Sequence, residues 1–221
     1  MPSPVRALLF DFNGTLSNDE PLLCSIWQEV FAEYGRPLAA EEYFAELAGL
    51  ADTEIARRWL GDDHPALPAV MAERVARYRA RAADGSTVTE TVRAAVQWAA
   101  TRVPVGVVSG AARADVEPVL AAAGLADAVS VLVTEEDVER GKPDPEGYLR
   151  ALALLGNHIR PDEVVTLEDS EAGVTAARAA GTRCIAVLGT MPAERLAAAD
   201  EVVARLDRPL VRRVLGEATA S

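Results

Sequence analysis

The sequence has little of what marks nucleic-acid-binding, secreted or membrane proteins. Its 22 Lys and Arg face 34 Asp and Glu, and the formal net charge of −12 argues against nucleic acid or an anionic membrane as a partner. No apolar stretch is long enough to span a bilayer. The first apolar run is short and ends at an acid, unlike a secretory signal. We therefore expect a soluble, cytoplasmic protein.

Cysteine, histidine and lysine are also scarce. Cys24 and Cys184 lie far apart and in no metal-ligand spacing, so we expect reduced, buried thiols. We interpret His64 as a surface-loop residue and place His158 between a helix and a strand, and we assign neither a catalytic role. Lys142 is the only lysine, because arginine supplies the rest of the positive charge, and this makes it conspicuous.

The beginning of the chain contains the first candidate for chemistry. An apolar run from Val5 to Phe10 ends on Asp11, and a turn signal follows at Asn13-Gly14. This pattern predicts a buried strand. In an open α/β sheet, ligands bind beyond the carboxyl ends of the strands, which would place the Asp11 carboxylate in the binding crevice. The alternative is that Asp11 only caps the turn that follows it.

The remaining pattern predicts an α/β fold with a helical insert. Residues 19–81 contain successive helical stretches and no convincing strand, and we interpret their aromatic stripe as core. Beyond residue 86, helices and strands alternate, which indicates βαβ units and a parallel sheet. The last elements are predicted as a helix over 191–200, an edge strand over 201–206 and a helix over 208–216.

The predicted fold is therefore a doubly wound, parallel-sheet (Rossmann-like) α/β core with an inserted all-helical cap domain. With 221 residues the chain is long enough for one such core and a modest insert. We expect residues 1–17 and 83–221 to form the core and residues 18–82 to form the cap.

Four short motifs, each placed after a predicted strand or at the start of a helix, resemble those of the haloacid dehalogenase-like hydrolases. They are DFNGTL, Ser109-Gly110 after PVGVV, Lys142 in GKPDP, and Glu168-Asp169 in VVTLEDSEAG. Their order and spacing make the resemblance specific, and it covers nearly the whole chain. It points to the phosphatase and phosphoglucomutase-like subgroup with a helical cap. One position departs from the pattern, since Asn13 stands where phosphotransferases of the family usually have a second Asp.

The resemblance implies a set of catalytic and metal-binding residues. Asp11 would be the nucleophile that forms an aspartyl-phosphate. Mg²⁺ would be bound by Asp11, the backbone carbonyl of Asn13 and Asp169, with Glu168 close by or acting through water. Lys142 would place its ammonium group between the Asp11 carboxylate and the phosphate and reduce their repulsion.

Other residues are expected to bind the phosphate group. Ser109 and Gly110 follow a predicted strand and precede a helix, so the hydroxyl and the following N–H groups can hold an anion at the positive helix end. Thr15 and the backbone of Gly14 would complete this phosphate site. Ser170 is expected to act as the N-cap of the next helix.

Two further segments are assigned from the sequence. Gly173 is expected to permit close packing or close approach of the backbone. AGLADTEIARR resembles the segment that family members use to sense substrate. Its candidate contacts are Ala48, Gly49, Leu50 and Asp52, with Arg57 or Arg58 nearby.

The predicted function is a Mg²⁺-dependent phosphatase that acts on a small phosphorylated metabolite. The Asn13 carboxamide cannot exchange a proton near neutral pH, and general acid–base catalysis is worth roughly 10²–10⁴-fold, so we expect slow turnover. One alternative is a catalytically silent phosphate-binding module. Another is a sugar phosphomutase, which ranks lower because it would need the missing carboxylate twice. The sequence does not indicate the oligomeric state.

Overall fold

A six-stranded, wholly parallel sheet forms the centre of the protein, seen in a computed structural model that describes residues 3–217. Its order is β3-β2-β1-β4-β5-β6, so the chain leaves β1 towards one edge and later returns to build the other. The strands are β1 (Ala7–Phe10), β2 (Val105–Val108), β3 (Val131–Val133), β4 (Val164–Glu168), β5 (Arg183–Val187) and β6 (Glu201–Val203).

Helices flank the sheet, and all of them come after β1 in the sequence. They are α1 (Glu20–Glu33), α2 (Ala40–Glu42), α3 (Asp52–Leu60), α4 (Leu67–Ala82), α5 (Glu90–Ala100), α6 (Arg113–Ala122), α7 (Glu146–Leu155), α8 (Glu171–Ala179) and α9 (Arg208–Val214). Side-chain caps begin several of them: Thr89 accepts from the N–H of Val92, and Ser170 accepts from the N–H of Gly173. The predicted capping role of Ser170 is thus confirmed.

Both faces of the sheet are covered by apolar side chains. Along β1 the residues alternate between the two faces: Leu8 and Phe10 belong to one buried cluster, and Ala7 and Leu9 belong to the other. A central parallel strand that is buried on both faces reads as a continuous apolar run, which is the pattern from which β1 was predicted. The doubly wound α/β fold is confirmed.

The segment between β1 and α5 is helical, as predicted. We call residues 20–82, which contain α1 to α4, the helical insert. Helix α4 packs against α1 and α3 and also contacts α6 beside the sheet. Trp27 and Phe31 are fully buried and stacked with their ring centroids 4.8 Å apart, in agreement with a core role for the aromatic stripe. After α2 the chain continues as a π-helical turn, Tyr43–Leu47.

The helix predicted over residues 191–200 is wrong. Only the 3₁₀ turn Ala193–Leu196 forms there, and Pro192 before it is extended. The chain then returns to the sheet at Asp200, whose carboxylate accepts from the N–H of Cys184 at 2.8 Å. This bond to β5 leaves no room for a longer helix before β6. The predicted edge strand and the last helix are present as β6 and α9.

Two other predictions can be compared with the fold. Cys24 and Cys184 are both buried and free, as expected. Within residues 3–217, none of the helices combines the length and the apolar character that crossing a bilayer requires.

Candidate active site

The candidate site lies where the sheet order reverses, at the carboxyl ends of β1 and β4. These two strands are neighbours, with Phe10 paired to Leu167. The N–H of Asp11 donates to the carbonyl of Leu167 at 2.9 Å, so the two chains stay in register beyond β1. Asp11 therefore follows one strand directly and Asp169 follows the next. Such a reversal point is the usual ligand crevice of an open α/β sheet.

Three buried carboxylates converge at this edge. Oxygen atoms of Asp11, Glu168 and Asp169 all lie within 4.8 Å of one another. Burial raises the pKa of Asp11 to about 7, although the positive charge of Lys142 opposes the increase. Burial and the charges of Asp11 and Glu168 also raise the pKa of Asp169 well above its ordinary value. Carboxylate oxygens crowded in this way form a donor set that suits a hard divalent cation.

Lys142 bridges two of these acids. Its Nζ donates to Asp11 Oδ1 at 2.5 Å, to Glu168 Oε1 at 2.6 Å and to the carbonyl of Val108 at 3.1 Å. Burial lowers the pKa of a lysine, but the charges of Asp11 and Glu168 outweigh it and the Lys142 pKa is raised. The only lysine of the chain is therefore held charged beside Asp11.

Glu168 is fixed from several sides and does not line the cavity. It is fully buried, and the hydroxyl of Tyr148 donates to its Oε1 at 2.6 Å. Its Oε2 accepts from the N–H of Asp169 at 3.1 Å and from the Ser170 hydroxyl at 3.2 Å. A Cβ atom at Gly173 would lie 1.9 Å from this carboxyl group, so the predicted close approach at Gly173 is confirmed.

The turn after β1 supports Asp169 from the other side. Thr15 Oγ1 donates to Asp169 Oδ1 at 3.2 Å, and the Thr190 hydroxyl donates to Oδ2. Gly14 has φ +79°, and a Cβ there would lie 1.9 Å from Asp169 Oδ2. Gly14 and Thr15 therefore pack against this carboxylate and do not line the main cavity. The sequence offered no signal for Thr190.

Asn13 is held by a buried acid that sequence analysis missed. Its Nδ2 donates to Asp19 Oδ2 at 2.7 Å, and the N–H of Gly14 donates to Asp19 Oδ1 at 3.2 Å. The hydroxyl of Tyr78, from α4, donates to Asp19 Oδ2 at 2.6 Å. Asp19 is fully buried, and burial raises its pKa. The Asn13 amide is thus tied to the start of the helical insert.

Ser109 and Gly110 lie on the opposite side of the same cavity, after β2. Ser109 Oγ accepts from the N–H of Ala111 at 3.0 Å, which leaves its hydroxyl proton available to a ligand. Nothing lies within 4 Å of a Cβ placed on Gly110, so the backbone there is open to an incoming group.

The cavity has a volume of about 520 Å³ and lies between the sheet edge and the helical insert. Of the predicted substrate-sensing segment, Gly49, Leu50 and Asp52 line it, whereas the buried Ala48 does not. Arg57 and Arg58 are exposed and line a separate surface depression. Neither histidine lines the cavity.

Three polar cavity residues of the helical insert were not predicted. Glu20 begins α1, and the hydroxyl of Tyr43 donates to its Oε2 at 2.9 Å. Burial raises the pKa of Glu20 to about 7. Arg74, from α4, pairs with Asp52 at 2.9 Å. The sequence pattern placed these residues in separate helical stretches, and only the folded insert shows that they meet.

Comparison with known proteins agrees with this geometry. The model of the family described as haloacid dehalogenase-like hydrolase matches residues 8–187. The chain is 32% identical to the validoxylamine A 7′-phosphate phosphatase of Streptomyces hygroscopicus subsp. limoneus, over 88% of this chain and 91% of that protein. It is 34% identical to a phosphoglycolate phosphatase of Yersinia pseudotuberculosis, over 82% of this chain and 80% of that protein.

The fold of the protein also agrees with that of a solved structure. CbbY from Rhodobacter sphaeroides, crystallised with phosphate, is 29% identical and superposes with a TM-score of 0.78, over 91% of this chain and 94% of that one. The family model alone covers most of the chain, including the strands that carry Asp11, Ser109 and Glu168. The chain belongs to the haloacid dehalogenase-like hydrolases.

Proposed function

We propose that the protein is a Mg²⁺-dependent phosphatase that hydrolyses a small phosphorylated metabolite through an aspartyl-phosphate on Asp11. The observation that carries this proposal is the position of the Asp11 carboxylate, which lines the cavity, is bound by Lys142 and lies beside Asp169. Membership of a hydrolase family whose relatives include named phosphatases supports it.

The proposed role of Asp11 follows from its contacts. Its Oδ1 is bound by Lys142, and its Oδ2 would attack phosphorus and displace an alkoxide, which takes its proton from water. A water molecule would then hydrolyse the aspartyl-phosphate, which releases inorganic phosphate and restores the Asp11 carboxylate. The Lys142 ammonium group reduces the repulsion between the carboxylate and the phosphate. Ser109 and the backbone at Gly110 would orient the phosphoryl oxygens. The turn at Gly14 and Thr15, expected from the sequence to bind phosphate, would act on the site by holding Asp169.

The carboxylate cluster is the proposed metal site. Asp11, Asp169 and the backbone carbonyl of Asn13 would hold Mg²⁺, with Glu168 close by. When bound, Mg²⁺ would neutralise charge on the phosphoryl oxygens. We further propose that residues 18–82 act as a cap over the core of residues 1–17 and 83–221 and exclude water from the cavity.

Asn13 sets the expected rate. Its amide nitrogen donates to Asp19, and a carboxamide supplies no proton to a leaving group. Esters whose leaving groups need protonation should therefore react slowly, whereas acyl phosphates and aryl phosphates should react faster. Proton transfer of this kind contributes roughly 10²–10⁴-fold.

The proposal is tested by phosphate release from a panel of small phosphate esters with and without Mg²⁺. We expect activity only with the metal, and we expect Asp11→Ala to lower it by at least about 10³-fold. The matched control is Asp63→Asn, which changes an exposed acid of the helical insert and should leave the rate unchanged. Undiminished activity in Asp11→Ala would rule out the covalent mechanism.

A second candidate is a catalytically silent phosphate-binding module, and the amide at residue 13 is what favours it. Calorimetry with a phosphate ester and Mg²⁺ separates the two. Metal-dependent binding without phosphate release would support the silent module. Conversion of one sugar phosphate into an isomer without release of phosphate would instead identify a phosphomutase.

A further inference from the structure

The cavity has two ends of different character. One end holds the proposed phosphate and metal site at Asp11, Asp169 and Lys142. The other end, which we call the insert end, has the polar lining residues Glu20, Tyr43, Asp52 and Arg74 beside the apolar Leu23, Leu50 and Ile55. A substrate attached through its phosphate would place the rest of its atoms against the insert end. The charges at the insert end therefore influence which substrates can bind in the cavity.

Each cation that lines the cavity is already paired with carboxylates. Lys142 is bound to Asp11 and Glu168. Arg140 is 71% exposed and pairs with Asp144 at 3.1 Å and Glu146 at 3.4 Å.

Arg74 is also paired with carboxylates. Its guanidinium lies 2.9 Å from Asp52 and 3.6 Å from Asp115, and it stacks 5.0 Å above the Tyr78 ring. Its Nε lacks a hydrogen-bond partner but is enclosed by protein atoms, so it cannot donate to a ligand in the cavity. The insert end thus offers no free cation to a second anionic group.

Carboxylate oxygens at the same end do lack donors. Glu20 is 8% exposed, and the Tyr43 hydroxyl donates to Oε2 only. Within residues 3–217 no donor reaches Glu20 Oε1, and Asp52 uses Oδ2 for Arg74 while Oδ1 has no partner. Both residues line the cavity, so a carboxylate oxygen that lacks a protein donor can accept a hydrogen bond from a ligand hydroxyl.

We infer that the substrate is a polyhydroxylated phosphate monoester with no second anionic group. This inference rests on the proposed phosphatase function and specifies its substrate class. Hydroxyl groups would donate to Glu20 and Asp52. A carboxylate or second phosphate would meet the acidic groups of Glu20 and Asp52 and no unpaired cation, which disfavours its binding. The cavity volume of about 520 Å³ lies in the range of small-molecule sites.

The inference separates this chain from its phosphoglycolate phosphatase relative. Phosphoglycolate carries a carboxylate next to its phosphate ester. We therefore expect kcat/KM with glucitol 6-phosphate to exceed kcat/KM with 2-phosphoglycolate and with fructose 1,6-bisphosphate by about 100-fold or more. Equal values, or a preference for either compound that carries a second anionic group, would overturn the inference.

A charge-neutral substitution tests the role of Glu20. Glu20→Gln keeps the size of the side chain and removes its negative charge, so the preference for glucitol 6-phosphate over 2-phosphoglycolate should narrow by about 10-fold. A purely structural role would lower both activities together and leave the ratio unchanged. Glu33→Gln, an exposed acid at the end of the same helix, is the matched control and should keep the wild-type ratio.

Binding separates failure of this inference from failure of the proposed function. The Asp11→Asn variant, saturated with Mg²⁺, is titrated calorimetrically with glucitol 6-phosphate and with 2-phosphoglycolate. We expect the polyol phosphate to bind at least about 10-fold more tightly, a result that holds even if the wild type releases no phosphate. Equal affinities, tighter binding of 2-phosphoglycolate, or undetectable binding of the polyol phosphate would each overturn the inference.

Discussion

At the scale of single residues, the proposed turnover rate depends on the side-chain amide of Asn13. It lines the cavity beside Asp11, and Asp19 holds its nitrogen. Asn13→Asp would place a carboxyl group where the family usually has one. We expect kcat to rise by roughly 10²-fold for alkyl phosphates and to change little for p-nitrophenyl phosphate, whose leaving group needs no proton.

Steady-state kinetics with both substrates measures this effect. The p-nitrophenyl phosphate rate is the internal control for folding and for nucleophilic attack. An unchanged kcat with alkyl phosphates would mean that another group supplies the proton. The buried Glu20, whose pKa lies at about 7, would then be the first group to test.

Lys142 contributes both to the stability of the folded protein and to the proposed chemistry of the site. Lys142→Met would leave the carboxylates of Asp11 and Glu168 buried together without their cation. Removing one partner of a buried ion pair costs about 3–5 kcal/mol, so we expect a lower melting temperature and near-complete loss of activity. Thermal denaturation and phosphate release measure the two effects. Arg150→Met, an exposed cation of α7, should change neither, and an equal loss there would contradict this argument.

At the scale of the elements, the close contact between α8 and the end of β4 requires a glycine at residue 173. Alanine is normally favoured over glycine inside a helix by about 1 kcal/mol. At this position its Cβ would lie 1.9 Å from the Glu168 carboxyl group, so Gly173→Ala must displace either the helix or the acid. We expect a lower melting temperature and weaker activity.

Thermal denaturation of Gly173→Ala should be compared with that of Gly141→Ala. Nothing lies within 4 Å of a Cβ at Gly141, so that variant should be nearly neutral. A Gly173→Ala protein as stable as the wild type would show that Glu168 moves freely, contrary to its contacts with Lys142 and Tyr148.

Strand β1 is an element that was predicted correctly from the sequence. Residues of β1 form a continuous apolar run because both faces of that strand are buried, and this pattern is visible without a structure. The segment at 191–200 has helical composition, but its Pro192 is extended and its Asp200 is held to β5. That tertiary constraint overrides local helix propensity and has no counterpart in the local pattern.

At the scale of the whole molecule, the buried Glu20 should reduce stability at neutral and alkaline pH. Burial raises its pKa from 4.5 to about 7, so the unfolded chain loses the Glu20 proton at lower pH than the folded protein does. The free energy of unfolding therefore falls as pH rises through this interval, by up to about 1.4 kcal/mol per pH unit. Above pH 7 the full penalty is present.

Glu20→Gln removes this titration. We expect its melting temperature relative to that of the wild type to increase between pH 5 and pH 8, by several degrees at about 2–4 °C per kcal/mol. Differential scanning calorimetry in saturating Mg²⁺ measures the difference, with Glu33→Gln as control. A difference that stays constant with pH would contradict the burial of an ionising carboxyl group at residue 20.

The sequence by itself determined the order of strands and helices along the chain except at residues 191–200, the helical nature of the insert and the residues that converge at the carboxyl edge of the sheet. These follow from hydrophobic periodicity and from short motifs, because each motif directly follows a strand whose position the pattern gives. Only the tertiary structure decided that Glu20, Tyr43 and Arg74 meet in one cavity and that Asp19 holds Asn13. Those contacts join helices far apart in the chain, and they depend on packing angles and side-chain directions that no local pattern encodes.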